Sequence, residues 1–451
     1  MHRESIMVRK FYMRNLILTV CFVLIVAVAT ASSDGDVPKL TLQESIDIAL
    51  ERSVIIDSAR EDIKASELGE KGAKTSFYPK LSTSYNYTKL NGPPTSKTLG
   101  TQIGTRDNYT WEMEVAQPVY TGGKISGNYR MSKLGVEISR MGESRAKQDV
   151  VLEVKEAYFG ILKAERILTV ARQAVEQLKA HRDIAQNFFD VGIIPKNDLL
   201  YAEVELANGR QDLVRAENAV ALAKAKFNTV LRRNIDDPVD VEDILTYTFF
   251  QKDIGECLAV ALKKRSIIKE YNLRVRSSQE AITVARSDLY PSVSVVGNYS
   301  KYGDDPDLAG SKYKNQEEWY LMAVANWDIW EWGKTRYNVG VHVSREKQAR
   351  NTLENIKDQI ALEVKNSFLL LKEAEKHIMV AQVAIEQAEE NFRINEERFR
   401  EQVATSTDVI DAQTLLTKTK SDYYNALSEY NIAMGRLEWA MGVIYSEVTK
   451  E

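Results

Sequence analysis

The sequence predicts a mainly α-helical chain that also contributes strands to a transmembrane β-barrel. It is built as two copies of one unit, a strand hairpin followed by a very long helix. Three observations carry this reading: an internal repeat offset by 210 to 212 residues, short alternating strands rich in aromatic rings, and helices with a heptad pattern too long for a globular domain.

The repeat sets the organisation. Ala49-Leu50 through Tyr78-Pro79 aligns without a gap on Ala261-Leu262 through Tyr290-Pro291. Gly123-Lys124 falls on Gly333-Lys334, Phe189 on Phe399, Asp198 on Asp408 and Ala202 on Ala412. A period this long is no solenoid unit and points to two large pseudo-equivalent halves. The expected division is a signal peptide over residues 1–31, a first repeat over 32–238 and a second over 239–451, the two repeats forming one continuous body.

Residues 1–31 have the layout of a secretory signal. Arg9, Lys10 and Arg14 precede an apolar run from Leu16 to Val28, and Ala29-Thr30-Ala31 suits cleavage. Met13 would serve equally well as a start. Cys21 follows Val20, where lipidation wants a small residue, so a lipid anchor is not expected. Beyond the signal only Cys257 remains, which rules out an intrachain disulfide. No later stretch approaches 18 consecutive apolar residues, so membrane insertion requires a barrel.

Each repeat opens with a helix, roughly Leu42 to Ser76 and Ile254 to Asp288. Strands follow. Leu81, Thr83, Tyr85 and Tyr87 alternate with Ser82, Ser84, Asn86 and Thr88; Tyr109, Trp111, Met113 and Val115 alternate with Thr110, Glu112 and Glu114. Val293 to Tyr299 alternates less cleanly, and Trp319 to Trp327 is apolar on both faces. A polar face opposite an aromatic one suits a wet lumen and a lipid exterior; an ordinary half-buried sheet shows the same alternation. Aromatic residues favour the barrel. Tyr109, Trp111, Trp319, Trp327 and Trp330 stand at or beside strand ends, where amphipathic rings settle at headgroup depth. The polar loops Asn91 to Asp107 and Tyr302 to Glu318 suit a barrel's outer surface.

The long helices follow. In the second, the apolar set runs from Leu353 through Ile360, Leu371, Ala381 and Phe392 to Phe399, with a mean step of roughly 3.5, the value for supercoiled helices. From Lys334 to Phe399 the rise comes to about 100 Å. Four strands per chain cannot close a barrel, and open edges in lipid leave backbone groups unpaired. Strands from several chains must combine; three chains supply twelve, with the helices continuing as a coiled-coil α-helical barrel.

These features together resemble the TolC family of outer-membrane efflux proteins (outer membrane factors). The resemblance covers Leu40 to about Val443. It is carried by the duplicated segments Leu42 to Leu50 and Leu258 to Leu262, the Tyr-Pro and Gly-Lys pairs, and above all Thr407-Asp408-Val409-Ile410-Asp411-Ala412 after the second long helix. It implies a homotrimer in the outer membrane, reaching into the periplasm. It also implies a passive exit duct of a tripartite efflux or type I secretion system. The duct docks to a periplasmic adaptor (membrane fusion protein) and an energised inner-membrane efflux pump or ABC exporter. By the same resemblance Asp408 and Asp411 line the periplasmic constriction, and Asp198, Phe399, Gln402 and Ala404 belong to the gate at the hairpin tips. Three departures put the closing network in doubt: Phe399 stands where a tyrosine hydroxyl is expected, Gln402 where glycine is usual, and Ala404 where an arginine would pair with an acid. A purely structural alternative for Asp408 is a helix cap, with Thr407 or Asp408 itself as N-cap. For Pro195 a turn role is expected.

Catalysis is not expected. His181, His342 and His377 each stand alone on a helix, and no catalytic, cofactor or metal motif occurs. Gly122-Gly123-Lys124 is a helix-start turn, as its second copy Trp332-Gly333-Lys334 indicates. A net charge of −4 with 27% charged residues gives no basic footprint for nucleic acid. The rival reading is a periplasmic adaptor with one long helical hairpin, which leaves the duplication and aromatic strand pairs unexplained.

Overall fold

A computed structural model describes residues 39–443. The signal peptide expected over residues 1–31 lies outside the described residues. The first half runs α1 (Leu42–Arg52), α2 (Val54–Thr75), β1 (Lys80–Lys89), β2 (Asp107–Tyr120), α3 (Lys124–Asp190) and α4 (Lys196–Val230). The second repeats that order as α5 (Ile254–Lys264), α6 (Ser266–Arg286), β3 (Ser292–Gly303), β4 (Glu317–Asn326), α7 (Lys334–Arg400) and α8 (Ser406–Met441).

The opening helix of each half is not continuous, contrary to the apolar pattern. One extended residue breaks it, Ser53 (φ −68°, ψ 120°) in the first half and Arg265 (φ −61°, ψ 117°) in the second. In the first half the two segments differ in burial. Helix α1 buries Leu42, Ile46 and Ala49, whereas α2 buries only Ile56. A single ψ change re-aims the helix between those environments. Reciprocal capping boxes start α1 at Thr41 and Glu44 and α5 at Asp253 and Glu256.

The strands form one antiparallel sheet in the order β1-β2-β3-β4. Tyr85 pairs with Trp111, Met113 with Tyr299, and Tyr299 with Trp319. Ser84 pairs with Glu112, Glu112 with Ser300, and Ser300 with Glu318. Because side chains alternate with a period of two, this register puts every ring of the first set on one face and every polar group of the second on the other. The register also resolves β4, whose own sequence is ambiguous: Trp319 and Leu321 join the apolar face and are 75% and 73% exposed in the single chain. The outer strands β1 and β4 each keep one unpaired edge.

Helices α3 and α7 each span 67 residues, about 100 Å of rise. Both start from a left-handed glycine, Gly123 (φ 92°) and Gly333 (φ 86°). Along α7 the heptad set faces inward as expected, with Leu353, Ile360, Val364, Leu371, Ala374, Ile378, Ala381 and Ala388 buried. Helices α4 and α8 run back beside α3 and α7, so the chain holds two helical hairpins side by side.

The main core lies where all the helices meet. There Tyr158, Phe227, Leu371, Tyr430 and Leu437 are fully enclosed. The Tyr158 hydroxyl donates to the Glu242 carbonyl at 2.8 Å, fastening the linker between the halves to α3. A second, smaller core sits at the far end of the hairpins. It is built from Ala185, Leu199, Ala202, Phe399, Val409 and Ile410.

Candidate channel wall and hairpin tips

The wall begins with the sheet. Its apolar face carries Leu81, Tyr85, Met113 and Val115, all exposed, with half-buried Tyr109 and Trp111 between them. Tyr87 stacks on Tyr109 at 4.7 Å and Trp111 meets Tyr299 edge to face at 6.0 Å. These rings stand at the loop end of the sheet together with Trp319. At the helix end lie Trp327, Trp330 and Trp332, exposed by 55%, 74% and 84%. From Trp319 to Trp327 the strand rises roughly 26 Å, close to the height of a barrel's apolar band. At the loop end, Tyr85 Oη donates to the Pro306 carbonyl at 2.9 Å and Thr105 Oγ1 to Asp304 at 2.6 Å, so the loops of the two halves hold each other. Among the described residues no helix is long and apolar enough to cross a membrane.

The tips are built alike but with different residues. Helix α3 ends in a turn with Gly192 at φ 75°, and Ile193 N–H returns to the Phe188 carbonyl at 2.8 Å. Helix α7 ends in the same turn with Gln402 at φ 61°, and Val403 N–H returns to the Arg398 carbonyl at 2.8 Å. This is the αL termination that glycine normally fills. So the second tip keeps the first tip's turn with a residue that strains it.

The N-cap of α8 is Thr405, two or three residues before the positions expected. Asp408 N–H donates to Thr405 Oγ1 at 3.3 Å, and the Asp408 carboxylate accepts from Thr405 N–H and Oγ1–H, both at 2.8 Å. Those bonds to Thr405 hold the Asp408 carboxyl below its ordinary range, with a smaller contribution from Arg398. Pro195 is the matching N-cap of α4 and supplies no side-chain bond. Asp411 is exposed one turn further along α8. It approaches Tyr201 of α4: burial raises that phenol's pKa first, and Glu205 and Asp411 add to it. Asp198 is half-buried in the first turn of α4 and accepts from Asn197 at 2.9 Å. Among the described residues no hydrogen bond or ion pair joins Asp198 to the second tip.

Phe399 is 2% exposed and inside the small core, where it packs on Phe188 at 5.5 Å and on His181 at 4.7 Å. The position that lacks the expected hydroxyl is therefore filled as a packing site. Ala404 is half-buried against the same core. His181 stands alone in the sequence but not in the fold. It is 7% exposed, and a ring nitrogen lies 2.7 Å from Ser406 Oγ. Its spacing held the signal: Ala174, Leu178, His181, Ala185 and Phe188 follow heptad steps of four and three along α3.

The sequence profile of the family described as "Outer membrane efflux protein" matches residues 45–231 and 258–443. The chain belongs to the outer membrane efflux protein family. Nodulation protein T of Rhizobium leguminosarum bv. trifolii is 20% identical over 433 residues, covering 95% of this chain and 90% of that protein. Outer membrane protein TolC of Escherichia coli K12 is 20% identical over 403 residues, covering 82% and 76% respectively. The fold is also that of the CmeC outer membrane channel of Campylobacter jejuni, with a TM-score of 0.77 at 17% identity over 92% of this chain and 90% of that one. This family member is an outer-membrane efflux channel subunit that extends into the periplasm, and it is not an enzyme. TolC-family channels work with adaptors and inner-membrane pumps and are generally homotrimeric. The adaptor reading has no support.

Proposed function

We propose that three copies of this chain form a passive duct whose wall is lipid-facing at the sheet and whose entrance is gated at the hairpin tips. The sheet carries the first part. Its exposed aromatic face and unpaired outer strands have no stable arrangement in lipid unless other copies complete the barrel. On this reading Tyr109, Trp111 and Trp319 anchor one membrane interface, and Trp327 and Trp330 the other. The tips then meet around the axis, where Asp408 and Asp411 from three chains present six carboxylates that favour cations. Asp198, Gln402 and Ala404 frame that entrance, and Phe399 holds it together from inside. The tips dock to an adaptor, and an inner-membrane efflux pump or ABC exporter supplies the energy.

Outer-membrane fractionation and heat-modifiable migration on a gel test the assembly: a trimer in the membrane fraction is expected, and a soluble monomer overturns it. Bilayer recording of Asp408→Ala/Asp411→Ala tests the constriction. Cation selectivity is expected to fall, and unchanged selectivity removes the acidic ring from the pore.

A further inference from the structure

At the tips, a buried polar contact joins the two hairpins. His181 comes from the descending helix of the first hairpin, while Ser406 and Phe399 come from the second. Ser406 is fully enclosed, so both partners of the bond are out of water. Elsewhere in the tip core the contacts are apolar, between Ala185, Leu199, Val409 and Ile410. Apolar contacts allow two surfaces to slide; a buried hydrogen bond fixes their register and is costly to leave unmade.

We propose that the His181–Ser406–Phe399 contact is the latch that holds the second hairpin against the first at the entrance, and that protonation of His181 releases it. The proposal rests on the reading that the tips are the gate.

The buried seat favours a neutral imidazole. One ring face lies against Phe399 and one nitrogen is held by Ser406. Ser406 is also the first residue of α8, where the helix dipole is positive and opposes a second cation. Several charged groups of the surrounding segments have partners elsewhere, while Arg182 Nε is buried without a hydrogen-bond partner. On α3, Arg182 pairs with Asp183; on α7, Arg400 pairs with Glu396, and Arg398 acts on Asp408; on α8, Asp408 is tied into the Thr405 cap. On α4, Asp198 is bonded to Asn197, and Glu205, with Asp411 of α8, acts on Tyr201. Among the described residues no carboxylate forms an ion pair with His181. Burial accordingly lowers its pKa from 6.5 to about 4.

The direction follows from linkage. With the latch closed the imidazole stays neutral down to about pH 4, whereas in an opened tip it is wetted and binds a proton from about pH 6.5 downward. The closed form is therefore fully favoured above that upper value and loses ground as pH falls across the window. Between pH 7.5 and 5.5 the open-to-closed ratio rises by about tenfold per protomer.

The test is conductance of the purified trimer in planar bilayers at pH 7.5 and 5.5, with trimer migration on gels confirming assembly of every variant. The wild type is expected to conduct little at pH 7.5 and at least about tenfold more at 5.5, the per-protomer factors multiplying if the three tips open together. His181→Gln keeps a neutral hydrogen-bonding group and is expected to stay closed at both. Phe399→Ala empties the tip core and removes the ring packed on His181 while keeping the imidazole itself, and is expected to raise conductance at both. If His181→Gln shows the wild-type rise, the latch is overturned while the gate stands. If Phe399→Ala leaves conductance unchanged at both values, the tips are not the gate and the underlying reading falls. Should His181→Gln fail to assemble, Ser406→Ala decides. Raised conductance at pH 7.5 with the acid response retained supports the latch, and wild-type closure at pH 7.5 overturns it.

Discussion

The guanidinium of Arg265 lies over the indole of Trp439, 4.1 Å from the ring centroid. It also donates to the Trp439 carbonyl at 2.5 Å and pairs with Glu363. One residue thus ties the break between α5 and α6 to both helices of the second hairpin. Burial dominates this site: it lowers the arginine pKa and raises that of Glu363, against the pull of each on the other.

Removing one member of such a set costs more than the set contributes. Arg265→Ala is expected to destabilise the folded protein by about 3 kcal/mol, at the low end for a buried pair because Glu363 is one-third exposed. Arg265→Met with Glu363→Gln is expected to cost less than the single change. Urea unfolding in detergent, followed by tryptophan fluorescence, measures both; equal losses would mean that the charge pair itself is the stabilising element.

The Thr405–Asp408 box makes a separate prediction about acid. Thr405→Ala removes the cap and is expected to cost about 1 kcal/mol. It also releases the Asp408 carboxylate, whose pKa should climb back toward its ordinary value of 3.8. The sign is that of a depressed acid: the stabilisation is present above the ordinary pKa and is lost as pH falls through the lower, folded one. Thermal melts of wild type and Asp408→Asn should therefore differ at pH 7 and converge only once pH falls below the ordinary value of 3.8. Convergence already at pH 5 would show that the cap bonds are absent from the assembled channel.

Gln402 and Gly192 occupy matching turns with matching left-handed backbones, yet only one is glycine. The non-glycine residue carries about 1 kcal/mol of conformational strain. Gln402→Gly is expected to stabilise the second tip by that amount, and Gly192→Ala to weaken the first similarly. Amide hydrogen exchange in the tip residues reads each locally. Slower exchange in the glutamine form than in the glycine form would contradict it.

Much of this was readable from residue order. The heptad set from Leu353 to Phe399 marks the buried stripe of α7 because supercoiled packing needs only a period, and periods are local. The rings of β1 and β2 announce their face for the same reason. What escaped depends on partners distant in sequence. Trp319 could not be assigned a face until β4 was registered on β3. The break at Arg265 is supported by Trp439 and Glu363, neither of which is near it in the chain. At the tip, the sequence points to Thr407 or Asp408 as the N-cap where the structure has Thr405, since short polar runs offer several equivalent starts. His181 lay on a legible stripe, but its partner Ser406 is 225 residues away.

Near-repeats conceal one sharp asymmetry, at the turns that start the two long helices. Gly122 (φ 61°) and Trp332 (φ 53°) hold the same left-handed conformation at matching positions. A Cβ on Gly122 would sit 2.5 Å from the Ser287 carbonyl oxygen, which is backbone and cannot swing aside. Trp332 points into the open and meets Trp330 edge to face at 5.7 Å. Gly122→Ala therefore combines left-handed strain with a collision and is expected to cost at least about 2 kcal/mol, lowering the protein's yield in the outer membrane. Trp332→Gly relieves about 1 kcal/mol of strain while losing a ring pair of similar worth, so its net effect on the urea midpoint is expected to be near zero. Comparable losses from the two substitutions would mean that Ser287 moves away from Gly122 in the assembled barrel, and that the two junctions are more alike than the single chain is.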